Sequence, residues 1–355
     1  MFLADREQVQ RGITQVLVAH QVPEKDAALV SYELVRAEAM GVASHGVIRV
    51  MEYIRDIDAG RTQPKSDVKV IGGTGQVAVV DCGWSLGIVA AHEALRIAIE
   101  GARQSKVSAV VTRRCNHVNR LGAYVERAAR LGLICFATAA IPQKRYATVV
   151  PWGGSEVRLG TNPLAFAFPT TGNPIVADFA TSVVPEGKVR AALLNGATLP
   201  PDAVVDATGR VTTDPAEFYG PPTGALLPFG GRVGYKGYAL GLLVELLGGT
   251  LGGCSIQAED RGVNGVFFCV LDPTGFLPAG SYEQLGQQVV DSMHSTPPAP
   301  GYERVLVPGE IEFETLADSE RGTSIKIGEG VWQALLEVAR AANVNVDSAV
   351  IGTAP

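Results

Sequence analysis

From residue 76 onward the sequence sets short β-branched apolar runs against longer helical stretches: "QVAVVD", a helix near 84–104, "VSAVVT", a helix near 119–131, then "LICFAT", "LAFAFP" and "IVADF". Period-two runs alternating with period-3.6 stretches predict an α/β body. What is missing narrows the choice. A doubly wound dinucleotide fold carries G-x-G-x-x-G between its first strand and helix, and this chain does not. The nearest approach, "GEGVWQ" at 328, lacks the third glycine and lies too close to the end to head a βαβ unit. P-loop, HExxH and GxSxG signatures are absent as well.

Residues 5–60 read as three helices: one from Asp5, one in "VPEKDAALVSYELVRAEAM" with Pro23 in the first turn, and one from Ser44 to Gly60. Residues 195–234 are rich in Gly, Pro and Thr and predict a long ordered excursion over the surface, of the kind that serves as a functional loop or lid. After a helix at Lys236 come the strand "GVFFCVLD", a helix near 281–293, the strand "RVLVPGE" and a final helix from about 330. The segment "YALGLLVELLGGTLGG" is interrupted by Glu245 and by glycines, and reads as a buried, closely packed helix end. No internal repeat is present.

Composition excludes several functions. A net charge of −6 without Lys/Arg runs argues against nucleic acid and against an anionic membrane surface. No stretch offers 18 uninterrupted apolar residues, and "MFLADREQVQ" meets charge by residue 5, so neither a span nor a signal peptide is expected. The five scattered cysteines form no CxxC pair, which predicts reduced thiols, no metal site and a cytoplasmic location.

The stretch "ASHGVIRVMEYIRDIDAG" carries the chemistry. On a helix from Ser44, Arg49 and Tyr53 fall about 40° and 80° from His45, while Val47, Val50, Met51, Ile54 and Ile57 fall at about 120–240°. His45, Arg49 and Tyr53 then form a row off the core face, with Ser44 as N-cap. Such a row is either a solvated face, with Arg49 paired to Glu52 or Asp56, or a site combining a proton-transfer group, a guanidinium fork for a carboxylate and a phenol. A second histidine, His117, lies in "RRCNHVNRLG" between a strand and a helix, where α/β proteins place ligand-handling groups.

The motifs "SHGVIR", "NH", "PWGG", "LGTNPLAFAFP", "DFATS", "GKV", "KGYALGLLVELLGGTLGG" and "VPGE" follow one another in the order of the type-2 malate/L-lactate dehydrogenase family, which the chain resembles from about residue 5 to 345. The resemblance implies an α/β, non-Rossmann NAD(P)-binding fold with an N-terminal helical segment, working as a homodimer on NADPH or NADH. It divides the chain into a substrate-contacting segment (1–75), a dimerisation core (76–125 and 305–355) and a cofactor-binding part (126–304). It makes His45 the proton donor with Ser44 beside it, His117 a second acid/base candidate, Arg49 the carboxylate clamp and Tyr53 its support. Thr161 and Asn162 would flank the substrate at the nicotinamide. Asp178, Phe179, Ala180, Thr181, Ser182, Lys236, Pro308, Gly309 and Glu310 would touch the cofactor.

The implied reaction is reduction of a small 2-oxo acid or a cyclic α-imino carboxylate, which needs a hydride, a proton and a cation for the acid end. Two departures bear on substrate and cofactor. Relatives follow the second histidine with Phe-Gly or Ser-Gly and a small residue, whereas this chain has Asn119 and Arg120; and "IPQKRYATVV" is longer by about five residues, adding Lys144, Arg145 and Tyr146. The latter is a surface insertion or a changed pocket wall. Arg113 and Arg114 are solvated or meet a 2′-phosphate, which favours NADPH. Two other readings compete: a ligand-binding relative without turnover, and a hydrolase using Ser44 and His45, against which stands the difficulty of bringing adjacent side chains into nucleophile and base geometry.

Overall fold

The computed structural model describes residues 1–141, 147–194, 196–254 and 264–353. In chain order it begins with β1 (Phe2–Asp5), α1 (Arg6–Ala19), α2 (Glu24–Ala39) and, after a short 3-10 turn at Ala43–His45, α3 (Arg49–Asp58). The body follows with β2 (Lys69–Gly72), β3 (Val77–Asp81), α4 (Gly87–Ser105), β4 (Val107–Arg113), α5 (Leu121–Ala129), β5 (Ile134–Ala140), β6 (Leu164–Phe168) and β7 (Ile175–Phe179). Next come α6 (Glu186–Leu194), β8 (Val204–Val205), β9 (Val211–Thr212), α7 (Ala216–Tyr219), β10 (Ala225–Leu226) and α8 (Tyr235–Val244), which continues as a π-helical turn at Glu245–Thr250. The chain closes with β11 (Gly265–Leu271), α9 (Ser281–His294), α10 (Glu310–Gly322), β12 (Ser324–Ile327), α11 (Glu329–Ala341) and β13 (Val350–Thr353).

Seven strands form the main sheet in the order β2-β3-β4-β11-β5-β6-β7. Among the described residues of this sheet only β3 and β4 run parallel, and the other pairs are antiparallel. A doubly wound sheet is parallel and binds phosphate at its strand-order reversal, so the missing glycine fingerprint belongs with a sheet that has no such crevice. The alanine face of α4 (Ala90, Ala91, Ala94, Ala98) lets that helix close on Val80, Val110 and Phe268.

A second core joins the two ends of the chain. β1 lies between β12 and β13, antiparallel to both, and Asp5 caps α1 by accepting the Gln8 N–H at 2.8 Å. Val9, Ile13, Val16 and Leu17 of α1 pack with Val30 and Leu34 of α2 and with Trp332 and Leu335 of α11. Each such buried side chain contributes about 1.5–3 kcal/mol, which fixes the N-terminal helices against the sheet. Segment 324–353 thus packs with the N-terminal helices, while the strands of 76–125 and of 126–304 share one sheet.

Two expectations change. The Gly/Pro/Thr-rich excursion is ordered as expected, and β8, β9 and β10 within it form a small sheet around Leu199, Val204, Phe218 and Leu226. "RVLVPGE" forms no strand; Pro308 has no N–H for a ladder, and a single bond from Val176 N–H to the Pro308 carbonyl (3.0 Å) ties it to β7. The Ser44–Gly60 helix is broken, for the reason given next.

Candidate active site

Glu38, near the end of α2, is buried, and its carboxylate accepts the Val47 backbone N–H at 2.9 Å. Gly46 passes directly over it: a Cβ there would stand 1.9 Å from Oε2. This contact satisfies a backbone donor outside any helix and turns the chain, so that Ser44 and His45 lie in the 3-10 turn and α3 begins only at Arg49. Burial pushes the Glu38 carboxyl up to about 7 against the pull of the Val47 N–H.

His117 arrives from the loop between β4 and α5. The Asn116 amide before it donates to Thr62 Oγ1, Trp84 O and Ser85 O, at 3.1, 2.7 and 3.0 Å. Gly87 closes the other side, where a Cβ would meet the His117 and Asn116 carbonyl oxygens at 2.2 and 2.3 Å. Thus held, His117 Nδ1 lies 2.9 Å from Tyr53 Oη, and its ring stands nearly parallel to that of His45, with centroids 6.0 Å apart. The histidines and the tyrosine therefore meet, but not as a row on one helix. Tyr53, expected off the core face, is only 5% exposed; it packs into the N-terminal core and spends its hydroxyl on His117.

Ser44 does not cap a helix; its Oγ lies 3.0 Å from His45 Nδ1. Adjacent serine and histidine do reach each other in a 3-10 turn, contrary to the geometric objection raised from sequence. Arg49 Nε donates to the Ser44 carbonyl at 2.8 Å and Nη1 to Glu52 at 2.6 Å, while Nη2 has no hydrogen-bond partner among the described residues. Burial lowers both imidazoles to about 3; His117, Arg49 and Arg120 add to this at His45, and Arg49 does so at His117. Both are neutral at neutral pH. Burial raises Tyr53, so its phenol keeps its proton.

A cavity of 670 Å³ opens at His45. Of the residues singled out in the sequence, Ser44, His45, Thr161, Asp178, Phe179, Ala180, Ser182 and Gly309 line it. Arg49 adjoins it through Ser44 and His117 through His45, with Tyr53 behind His117. Asn162 and Thr181 are buried in the scaffold instead: the Asn162 amide donates to Gly241 O and Glu245 Oε2, both at 2.9 Å, and Thr181 Oγ1 donates to Asn162 O at 3.0 Å. Glu310 accepts the Val307 N–H at 2.9 Å and pairs with His294, and Lys236 is exposed on α8; neither they nor Pro308 line the cavity. Arg114 is forked onto Asp81 at 2.8 and 2.5 Å, and neither it nor Arg113 lines the cavity. Lys144, Arg145 and Tyr146 lie outside the described residues. Lys188, Glu312, Asn119 and Arg120 line the cavity without having been assigned a role from sequence. "GKV" and "NHVNRLG" marked the places of Lys188 and of Asn119–Arg120, but no local pattern shows which way a side chain faces.

A mixed, largely antiparallel sheet and a histidine pair beside a cavity, with an arginine next to it, suit an enzyme that moves a proton on a small anionic molecule. A family model for malate/L-lactate dehydrogenase matches residues 4–336. The L-lactate dehydrogenase of Cupriavidus necator is 35% identical over 341 residues, spanning 94% of this chain and 96% of that protein. The solved sulfolactate dehydrogenase of Methanocaldococcus jannaschii superposes with a TM-score of 0.87 at 31% identity, covering 98% of this chain and 99% of that one. The Δ1-piperideine-2-carboxylate reductase structure from Pseudomonas syringae pvar. tomato gives a TM-score of 0.83 at 28% identity over 95% of this chain and 100% of the other. The chain belongs to the malate/L-lactate dehydrogenase family, and it is a dehydrogenase that uses a nicotinamide cofactor.

Proposed function

We propose that this enzyme reduces a small 2-oxo acid, or a cyclic α-imino carboxylate, at the C=O or C=N next to the carboxylate. The observation that carries the reading is the half-buried His45–His117 pair backed by buried Tyr53, with His45 at the cavity wall and Arg49 beside it. A dihydronicotinamide, when bound, would supply the hydride. His45 donates the proton to the oxygen or nitrogen, and His117, oriented by Tyr53, backs it. Arg49 offers Nη2 to the substrate carboxylate, with Nε and Nη1 already fixing its plane. Burial first, and then His117, Arg49 and Arg120, hold the His45 imidazole low; a substrate carboxylate on Arg49 would offset that arginine's part.

The residues fit a nicotinamide cofactor. The 178–182 segment and Gly309 form a wall with apolar Val176, Phe179 and Phe313 for a flat ring, and exposed Lys188 stands at the rim for phosphate. Lys236 and Arg113, which do not line the cavity, are retained as outer contacts, Arg113 with a lean to NADPH, and Pro308 and Glu310 shape the turn that carries Gly309. In this reading residues 1–75 contact substrate, 126–304 hold the cofactor, and 76–125 with 305–355 serve a homodimer. Exposed Leu243, Leu246 and Leu251, on α8 and just beyond it in the part assigned to the cofactor, support association through that face as well, which light scattering on the purified protein measures.

The test follows NADPH and NADH absorbance with pyruvate, oxaloacetate, phenylpyruvate, Δ1-pyrroline-2-carboxylate and Δ1-piperideine-2-carboxylate. Turnover with one or more is expected. Cofactor binding without hydride transfer to any of them would leave a ligand-binding protein, and no cofactor binding would sink the assignment.

A further inference from the structure

The run from α8 through the π-helical turn to Gly252 crosses the ends of the sheet strands, with glycine at the close approaches. A Cβ added to Gly241 would stand 3.2 Å from Thr181 Oγ1, one on Gly248 2.5 Å from Gly265 O and 3.3 Å from Thr138 Oγ1, and one on Gly252 2.6 Å from the Thr112 carbonyl. Residues 241, 245, 248 and 252 share one helical face, and on that face only Glu245 carries a side chain. A face that elsewhere presses backbone against backbone therefore buries a carboxyl.

Glu245 is 6% exposed, and Thr138 and Asn162 are 2% each. The Asn162 amide nitrogen donates to Gly241 O and to Glu245 Oε2, both at 2.9 Å, which fixes the amide's orientation and leaves Oδ1 as an acceptor. Asn162 Oδ1, Glu245 Oε1 and Thr138 Oγ1 are all buried without a hydrogen-bond partner. They belong to one place. Thr138 pairs with Leu164 across β5 and β6, and the Ala139 N–H bonds Pro163 O at 3.2 Å, so Asn162 stands diagonally from Thr138 on the same face. Gly241 lies against Asn162 and Gly248 against Thr138, and Glu245 lies between them on the helix.

The three groups are rich in acceptors and poor in positive charge. Among the described residues the Glu245 carboxylate receives one hydrogen bond, from Asn162, and no ion pair, and burial pushes its carboxyl up. A buried carboxylate is costly unless a cation matches it. One carboxylate beside an amide oxygen and a hydroxyl balances a single positive charge, whereas calcium and magnesium sites draw on more carboxylates or on several waters. The scattered cysteines speak only against a thiolate-bound metal, and this donor set is all oxygen.

We propose that Glu245 Oε1, Asn162 Oδ1 and Thr138 Oγ1 form a site for a monovalent alkali cation, sodium or potassium, that pins α8 to the ends of β5 and β6. The Asn162 carbonyl accepts Thr181 Oγ1 at 3.0 Å, and Thr161 and Ser182 on either side line the cavity, so the ion braces the cavity wall from behind. The inference is independent of the substrate and of the reductase reading.

The experiment dialyses the purified protein into choline chloride and follows thermal unfolding as choline is replaced by sodium or by potassium at fixed ionic strength, in wild type, Glu245→Gln and Thr138→Val. Wild type should gain about 1–3 °C, saturably and with one ion preferred, as roughly tenfold excess over Kd supplies in a chain of this size. Equilibrium dialysis against radioactive sodium, or against thallous ion in place of potassium, should find a single ion per chain. Glu245→Gln keeps the shape without the charge and should lose the gain. Thr138→Val removes one ligand and should need about tenfold more ion for the same gain. No ion-specific gain in wild type overturns the proposal and leaves a water or a proton among the three oxygens. An equal gain in Glu245→Gln overturns it too, because the ion then binds elsewhere. If Glu245→Gln fails to fold, Thr138→Val decides, and an unchanged ion dependence there is equally fatal.

Discussion

Replacing Glu38 by glutamine tests how the turn that carries His45 is held. The carboxyl is buried, accepts the Val47 N–H and lies under Gly46; burial moves it from its ordinary 4.5 to about 7. Because the folded value lies above the unfolded one, the native state binds the extra proton. Its contribution is complete below about pH 4.5 and is lost as pH rises through about 7. Carrying the ionised carboxylate at higher pH therefore costs roughly 3 kcal/mol relative to the neutral acid. Glutamine keeps an oxygen for Val47 and never ionises. The Glu38→Gln variant is expected to match wild type near pH 5 and to exceed it by about 2–3 kcal/mol near pH 8. Urea unfolding followed by tryptophan fluorescence at the two pH values reads the difference, and other titrating groups such as His45 and His117 cancel between the two proteins. Lower stability than wild type at pH 8, or the same offset at both pH values, would refute the reasoning, because the carboxylate would then be held by favourable charge interactions rather than strained by burial.

Binding of a carboxylate analogue such as oxamate should tighten as pH falls from about 8 to 6, because the bound anion raises imidazoles that burial holds near 3; calorimetry in two buffers should find proton uptake, and pH-independent affinity would contradict it. Without ligand the same depressed histidines bind protons only on unfolding between about pH 6.5 and 3, so stability falls as pH drops through that window, and His117→Asn should flatten the slope. Tyr53→Phe, which removes the hydroxyl on His117 Nδ1, should lower kcat with KM nearly unchanged and cost about 1 kcal/mol of stability; a KM effect alone would place Tyr53 in binding instead. Gly87→Ala drives a methyl into the His117 and Asn116 carbonyls and should lose about 1–3 kcal/mol together with most of the activity, measured by thermal unfolding and cofactor oxidation. Glu126→Gln leaves Arg36, Arg120 and Arg130 around a neutral amide and should destabilise by about 3–5 kcal/mol in the same assay.

Much of the secondary structure was legible along the chain, because period is a local property. β3 to β7, β11, α1, α2, α4, α5, α9 and α11 occur where their runs predicted them, and the ordered motifs pointed to the family that the comparisons establish. β1, β12 and β13 carried too little local signal, since strands of four residues are specified by their partners more than by themselves. Local signal also misled at Gly46, where a carboxylate from the preceding helix delays the start of the expected helix to Arg49, and at Pro308, which brings no N–H to a β-rich run whose Val307 N–H turns to Glu310.

The sequence alone determined the α/β class, the absence of a glycine fingerprint, and which histidines and arginines were chemically worth attention. Only the tertiary structure decided that Tyr53 turns inward to His117, that Asn162 and Glu310 support rather than line the cavity, and that Arg120 lines it. The physical reason is the same in each case. A residue's type and period are written locally, but its burial, partners and charge balance depend on groups tens to hundreds of positions away, as when Arg36 of α2 takes the carboxylate that Arg120 would otherwise hold.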